Sequence, residues 1–387
     1  MLRMRNRLLR LLVCFLSIVT WTVSACASAD EYEVFVGTYT GPHSKGIYSF
    51  RFDPATGKWT APELAVETEN PSFLAVDHEG RYLYAVNEVE DYKGTSAGAV
   101  SVFSIDPAGD KLALQQQVSS LGGAPAYLTL DKTGRDLLVA DYSGGDVVVF
   151  PVGKDGRLGE HTALDQHKGA SINPDRQKGP HAHSVQMTND NRFAMSADLG
   201  LDKIIIDRFD PAAGTLTPNE PAFAGVAPGS GPRHMAFARS GKFVYVINEM
   251  ATSVTVFAFD ARTASMREVQ TISTVAEHDP ANSGAEIQLD PSGRFLYTST
   301  RKVDTIEEFK VAEGSGKLTF VGRVPAGGKT PRFFTLDPTG QWMFVADQDS
   351  DAIVLYAVDK NTGKLTATGN RMEMGSPVSL VFVPVHK

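Results

Sequence analysis

Short apolar runs broken by polar turns fill most of the chain, and one arrangement of them recurs. An apolar strand leads into a D-x-x-G-type turn, and a second apolar strand follows. It reads Pro71-SFLAVDHEGRYLYAVNE, Pro125-AYLTLDKTGRDLLVADY, His181-AHSVQMTNDNRFAMSADL, Pro232-RHMAFARSGKFVYVINE, Ala285-EIQLDPSGRFLYTSTR and Pro331-RFFTLDPTGQWMFVADQ. Gly80, Gly134, Gly241, Gly293 and Gly340 occupy the turn, with Asn191 in the remaining copy. Asparagine is the side chain that best replaces glycine there, because it tolerates left-handed backbone.

A second pattern follows each copy: an alternating strand, a polar turn and an apolar residue. Its copies are GIYSFRFDPATGKW, GAVSVFSIDPAGDKL, GDVVVFPVGKDGRL, DKIIIDRFDPAAGTL, TSVTVFAFDARTASM, DTIEEFKVAEGSGKL and DAIVLYAVDKNTGKL. These are seven copies against six of the first pattern. The missing first-pattern copy is split, with Pro377-VSLVFVPV supplying its opening strand and Glu33-VFVGTY its closing one. The pattern predicts an all-β, seven-bladed β-propeller of four-stranded antiparallel blades, its ring closed by a blade shared between the N- and C-termini. A β-sandwich of hairpins accounts for neither the count of seven nor the split copy.

Residues 1–29 follow another rule. Arg3, Arg5, Arg7 and Arg10 precede an apolar run from Leu11 to Val23, and small residues close the segment. This reads as a signal peptide, with residues 30–387 forming the propeller. The apolar run is short for a membrane span, so no stable transmembrane segment is expected after processing. Two outcomes stay open. Ala27-Ser28-Ala29 is an A-x-A site that would release a chain starting at Asp30, whereas Val23-Ser24-Ala25-Cys26 resembles a lipoprotein box that would place a lipid anchor on Cys26. Either gives an exported protein, periplasmic or secreted. Cys14 and Cys26, the two cysteines, both lie in the leader, so the exported body holds together without an internal disulfide. Removing the leader takes away four arginines and no acid, deepening the formal charge from −8 to −12. That acidity argues against nucleic acid as a partner.

With the four strands of a blade lettered A to D outward from the channel, the D-x-x-G turn joins A to B at one end of the ring. The residues leading into A and those leaving B therefore share the other end. The first group contains His181, His183, Arg233, His234, Glu286 and Arg332. The second contains Asn87, Glu88, Asp141, Tyr142, Asp198, Asn248, Glu249, Arg301, Asp347 and Gln348. One mouth of the channel is thus expected to be polar and rich in arginine, which suits a small anionic ligand. Arg81, Arg135, Arg192 and Arg294 follow the turn residue and belong to the opposite rim, where a structural role is expected. His181 and His183 have a spacing that metal sites use, yet no carboxylate or cysteine partner stands at a set distance, so no metal or other cofactor is expected. Nucleophile elbow, phosphate-loop and dinucleotide motifs are missing from the sequence.

The H-x-H, D-L-G-x-D, G-P-R-H and N-E segments resemble the lactonase family of seven-bladed propellers. That family includes propeller-type 6-phosphogluconolactonases and the fungal 3-carboxy-cis,cis-muconate lactonizing enzyme, and the resemblance runs from about Tyr32 to Pro384. It implies lactone hydrolysis, or the reverse cyclisation, at a metal-free site in the channel mouth. The matching positions are His181, His183, Arg233, His234, Glu249, Arg301 and Arg332. On this basis Glu249 or His183 is expected as acid/base, with Arg233 and Arg301 holding an anionic group. His181, His234, Glu286, Arg332, Gln348, Tyr142 and Asp198 are expected to contact substrate. Asp141 and Asp347 depart from the asparagine expected there and would add negative charge to the mouth. Export also separates the chain from phosphorylated cytosolic metabolites, so the expected substrate is a sugar or carboxylated lactone. The competing expectation is a non-catalytic propeller acting as an envelope binding or scaffold protein; a quinone- or metal-dependent oxidoreductase would need ligands the sequence does not offer.

Overall fold

The computed structural model describes residues 31–106 and 111–385, so the leader, both processing sites and Cys26 lie outside the described residues. Seven antiparallel sheets form the ring. Blade I holds β5 (Leu74–Val76), β6 (Tyr82–Asn87), β7 (Ala99–Ile105) and β8 (Leu112–Ser119). Blade II holds β9 (Pro125–Leu130), β10 (Asp136–Asp141), β11 (Asp146–Pro151) and β12 (Ala163–Gln166). Blade III holds β13 (Ala182–Met187), β14 (Phe193–Asp198), β15 (Lys203–Asp210) and β16 (Thr215–Gly225). Blade IV holds β17 (Pro232–Phe237), β18 (Phe243–Asn248), β19 (Ser253–Asp260) and β20 (Ser265–Ser273). Blade V holds β21 (Ser283–Leu289), β22 (Phe295–Arg301), β23 (Thr305–Val311) and β24 (Leu318–Pro325), and blade VI holds β25 (Pro331–Leu336), β26 (Trp342–Asp347), β27 (Ala352–Val358) and β28 (Leu365–Glu373). Blade VII draws on both ends of the chain: β29 (Pro377–Pro384) is innermost and pairs with β1 (Tyr32–Thr38), followed by β2 (Gly46–Asp53), β3 (Lys58–Trp59) and β4 (Glu63–Glu67). The closure expected from the split repeat is therefore present, with the two ends of the chain paired in one sheet.

The D-x-x-G turns behave as their chemistry requires. At Asp77 the backbone carbonyl accepts the Gly80 N–H at 3.0 Å, and the carboxylate accepts the N–H groups of Arg81 and Tyr82. Gly80 sits at φ +67°, and Asn191 adopts φ +61° in the copy without glycine. The Asn191 side chain also donates to Asp131 of the neighbouring turn at 2.8 Å, so the substitution adds a tie between blades II and III.

Packing energy lies between blades. Seven apolar clusters each join two neighbours. At the VI–VII junction, Phe52 packs edge-on against Phe344 with centroids 4.8 Å apart, beside Phe50, Trp59 and Phe382. Each such buried ring contributes roughly 1.5–3 kcal/mol, so the chain-spanning blade is held by its neighbours as well as by its own ladder. On the rim, Arg135, Arg192 and Arg294 donate to carbonyls of Pro211, Ala261 and Lys360 on the next blade. These arginines are blade-to-blade ties, as their position predicts.

The last residue of strand B turns into its own blade. Asn248 donates to Ser253 and Thr255, and the Asn87 side-chain oxygen accepts from Ser101 and Gln117. Asp347 takes this place in blade VI with neither carboxyl oxygen hydrogen-bonded. Burial pushes its carboxyl up to about 8, with Arg371 opposing and Asp304 adding. An unfolded aspartate ionises near 4, so between about pH 4 and pH 8 the unfolded chain releases a proton that the folded chain keeps. Stability from this group therefore falls as pH rises through that window. Asp347→Asn is expected to raise the melting temperature by on the order of 2–4 °C at pH 8 and by much less at pH 5. Equal shifts at both pH values would contradict this.

Candidate active site

The geometry of the mouth comes from an irregularity in the inner strands. In β13, β17 and β25 the register with the second strand skips one residue, and the skipped residues are His183, Arg233 and Arg332. A β-bulge re-aims the side chain of its extra residue. The matching positions in blades II and VII are Ala126 and Val378, which carry no charge. The second strands contribute the residue just after the inward latch: Tyr39, Glu88, Tyr142, Glu249 and Arg301 occupy this one ladder position. These two positions account for almost all of the site.

A cavity of about 320 Å³ opens here, lined by Glu88, Ala126, Tyr142, Arg176, His183, Glu249, Ser283, Arg301 and Arg332. Glu249 is its centre. One carboxylate oxygen lies 2.8 Å from Arg176, and the other lies 2.9 Å from Arg301 and 3.2 Å from Arg233. Burial pushes the Glu249 carboxyl up, but the guanidiniums of Arg301, Arg233 and Arg176 outweigh it and hold it at about 2. Arg233 is pulled down to about 9 by burial and by the repulsion of Arg332 and Arg301, and it still carries its charge at neutral pH. Its Nη1 donates to the Ala285 carbonyl, and Arg301 donates to that of Gly284. On the opposite side Arg332 donates to the Tyr39 hydroxyl at 2.7 Å, which donates in turn to Glu88 at 2.7 Å.

His183 stands between these groups, with Nε2 3.9 Å from Glu249 and its ring edge-on to Tyr142. Burial and the charges of Arg233, Arg332 and Arg301 hold its pKa well below the usual histidine value, so the imidazole is neutral at pH 7. Nδ1 of His183 and Nε of Arg301 make no hydrogen bond within the protein. His181 stacks on Tyr142 at 4.6 Å and bonds the Tyr142 carbonyl through Nδ1. Neutral imidazole, fixed carboxylate and surplus guanidinium charge are the parts needed to move a proton and to stabilise an oxyanion.

Several positions singled out in the sequence sit elsewhere. His234 and Glu286 lie below the mouth, paired at 3.0 Å, and Glu286 lines a separate cavity of about 420 Å³ further down the channel. Between the two cavities Phe73 and Tyr127 pack around the His234 ring. Burial raises Glu286 to about 8 despite Arg233, so it is mostly protonated at neutral pH. Asp198 is fully buried and bonds His167 and the N–H groups of His181 and Leu201. Gln348 sits in a short 3-10 turn at the surface, bonded to Asp349. Asp141 and Asp347 do not add charge to the mouth: both face into their blades, and burial raises both carboxyls.

Besides Ala126 and Ser283 of the lining, two residues that hold the charges of the mouth were not expected from the sequence. Tyr39 follows β1 in the split blade, so extending the ladder rule across the chain ends would have found it. Arg176 comes from no repeat. It rides on the connection from Gln166 to Ala182, which is longer than the equivalents Ser119 to Pro125, Gly225 to Pro232 or Pro325 to Pro331. That excess length was the available signal.

The description "Lactonase, 7-bladed beta-propeller" matches residues 33–382. The 6-phosphogluconolactonase of Bacillus subtilis is 33% identical over 305 residues, covering 79% of this chain and 84% of that one. Among solved structures, a periplasmic gluconolactonase of Pseudomonas aeruginosa superposes with TM-score 0.87 at 35% identity, covering 92% of this chain and 100% of its own. A putative 6-phosphogluconolactonase of Bacteroides fragilis does so with TM-score 0.86 at 37% identity, covering 92% and 99%. The chain thus belongs to the lactonase family of seven-bladed β-propellers.

Proposed function

We propose that the chain is an exported lactonase that opens a sugar lactone of the gluconolactone type in the mouth cavity. The observation that carries the reading is a neutral, buried His183 beside an ionised Glu249 whose two oxygens are already taken by arginines. Glu249 is therefore the anchor of the guanidiniums, and His183 is the proton acceptor. Arg176, Arg301 and Arg332 line the cavity with Arg233 beside them, against Glu88 and Glu249 as the acids of its lining, so the site keeps positive charge for a developing oxyanion.

In this mechanism His183 Nε2 takes a proton from a water as its oxygen bonds to the lactone carbonyl carbon. The carbonyl electrons move onto oxygen, and Arg301 and Arg332 hold that oxyanion. When the tetrahedral centre collapses, the bond to the ring oxygen breaks and the imidazolium returns its proton to that oxygen. The product is the open hydroxy acid. Its new carboxylic acid group loses a proton to solvent, and the resulting carboxylate leaves the mouth.

The leader and the periplasmic relative support a substrate available outside the cytosol. The exported protein is expected to begin at Asp30 or at an acylated Cys26. A functional protein retained in the cytosol with its leader intact would overturn this part.

His183→Ala is expected to lower kcat by about 10²–10⁴-fold on glucono-δ-lactone with little change in KM. Arg301→Ala should cost about 10²–10³-fold. Retention of wild-type kcat in His183→Ala, measured above the spontaneous rate, would sink the mechanism.

A further inference from the structure

We propose that the buried pair of His167 and Asp198 is a positioning element for the mouth. It pins both ends of the connection 167–181 with one carboxylate and so sets where Arg176 and His183 stand. The inference rests on the reading of the mouth as the place of turnover.

The geometry is direct. His167 is the residue just after β12, where the connection leaves blade II, and its Nδ1 lies 2.6 Å from one Asp198 oxygen. His181 is where the connection ends, and its N–H donates to the other Asp198 oxygen at 2.8 Å. Asp198 Oδ1 also accepts the Leu201 N–H at 3.0 Å, which ties the pair to the turn after β14. The middle of the connection is folded rather than loose. Ser171 donates to Asp202 at 2.5 Å, and Gln177 donates to the Leu199 carbonyl at 2.9 Å. Arg176 projects from this frame to the Tyr142 hydroxyl and to Glu249.

The chemistry explains why these residue types are needed. At the place equivalent to Asp198, Asn248 donates to Ser253 and Thr255 of its own blade, and Asn87 donates to Thr68 and the Glu69 carbonyl. Asp198 instead accepts from two backbone N–H groups and one imidazole, which a carboxylate does best. A buried carboxylate needs a buried cation, and the His167 side chain is 1% exposed. Burial lowers the His167 pKa, but Asp165 and Asp198 outweigh it and raise it to about 9. Asp165 lies 3.3 Å from Nε2, and Asp146 and Asp207 are the further acids around this cluster. Burial raises both of these, so the imidazolium is not surrounded by fully ionised carboxylates.

The test compares wild type with His167→Leu, His167→Gln and Arg176→Ala, and with the Leu and Ala changes combined. Steady-state kinetics on glucono-δ-lactone are read beside hydrogen exchange of the segment 168–180. His167→Leu is expected to speed exchange in that segment and to raise KM about tenfold. On the Arg176→Ala background the same change should raise KM less than about twofold, because the contact it positions is already gone. His167→Gln keeps a donor without the charge, so it should fall between wild type and the leucine variant, and it serves as the readout if the leucine variant does not fold. Unchanged KM, or losses that simply multiply, would overturn the proposal. A wild type that turns over no lactone would instead sink the reading of the mouth, and the exchange data alone would then decide the clasp: faster exchange in 168–180 supports it and unchanged exchange rejects it.

Discussion

Three guanidiniums converging on the Glu249 carboxylate are the constraint around which the mouth is built. They come from the connection 167–181, from blade IV and from blade V, so one buried anion ties three separate parts of the ring together. Removing one partner of a buried ion pair typically costs about 3–5 kcal/mol, because the remaining charge is left unpaired. The cluster also bears on its neighbour: burial, aided by the same positive field that holds Glu249 ionised, keeps His183 neutral. A single electrostatic arrangement thus yields a fixed carboxylate, an unprotonated base and surplus positive charge.

The ring supplies the precision that such a cluster needs. Each inner strand packs against two neighbours, and the apolar clusters between blades leave little room for one blade to tilt alone. The bulges in β13, β17 and β25 then swing one residue per blade toward the channel without altering the ladder below. Further down, Phe73, Tyr127 and the His234–Glu286 pair separate the mouth from the lower cavity. The functional end and the structural end of the same propeller are therefore chemically distinct.

The fold was legible because it repeats. Copies of the D-x-x-G hairpin set the count of blades, and the divided copy revealed how the ring closes. The site was legible by position but not by orientation. Residues next to each other at a strand end point in opposite directions, so Asn248 latches its own blade while Glu249 faces the channel. The sequence reading placed both at the mouth, and the same ambiguity put Asp141, Asp198 and Asp347 there. Glu286 was displaced by a different cause, since the irregular register between Gly284 and Ile287 carries it down the channel. Arg176 left no periodic trace because it lies on a non-repeating connection, whose length alone marked it.

The central claim is that His183 is the neutral proton acceptor within the arginine cluster. It is tested most directly by kcat/KM of the wild type on glucono-δ-lactone between pH 5 and pH 8, with spontaneous hydrolysis subtracted. Because the folded pKa of His183 lies well below 6.5, the account predicts no loss of activity as pH falls from 8 to 6.5, with the acid limb appearing only below that. An acid limb centred at or above pH 6.5 would contradict it.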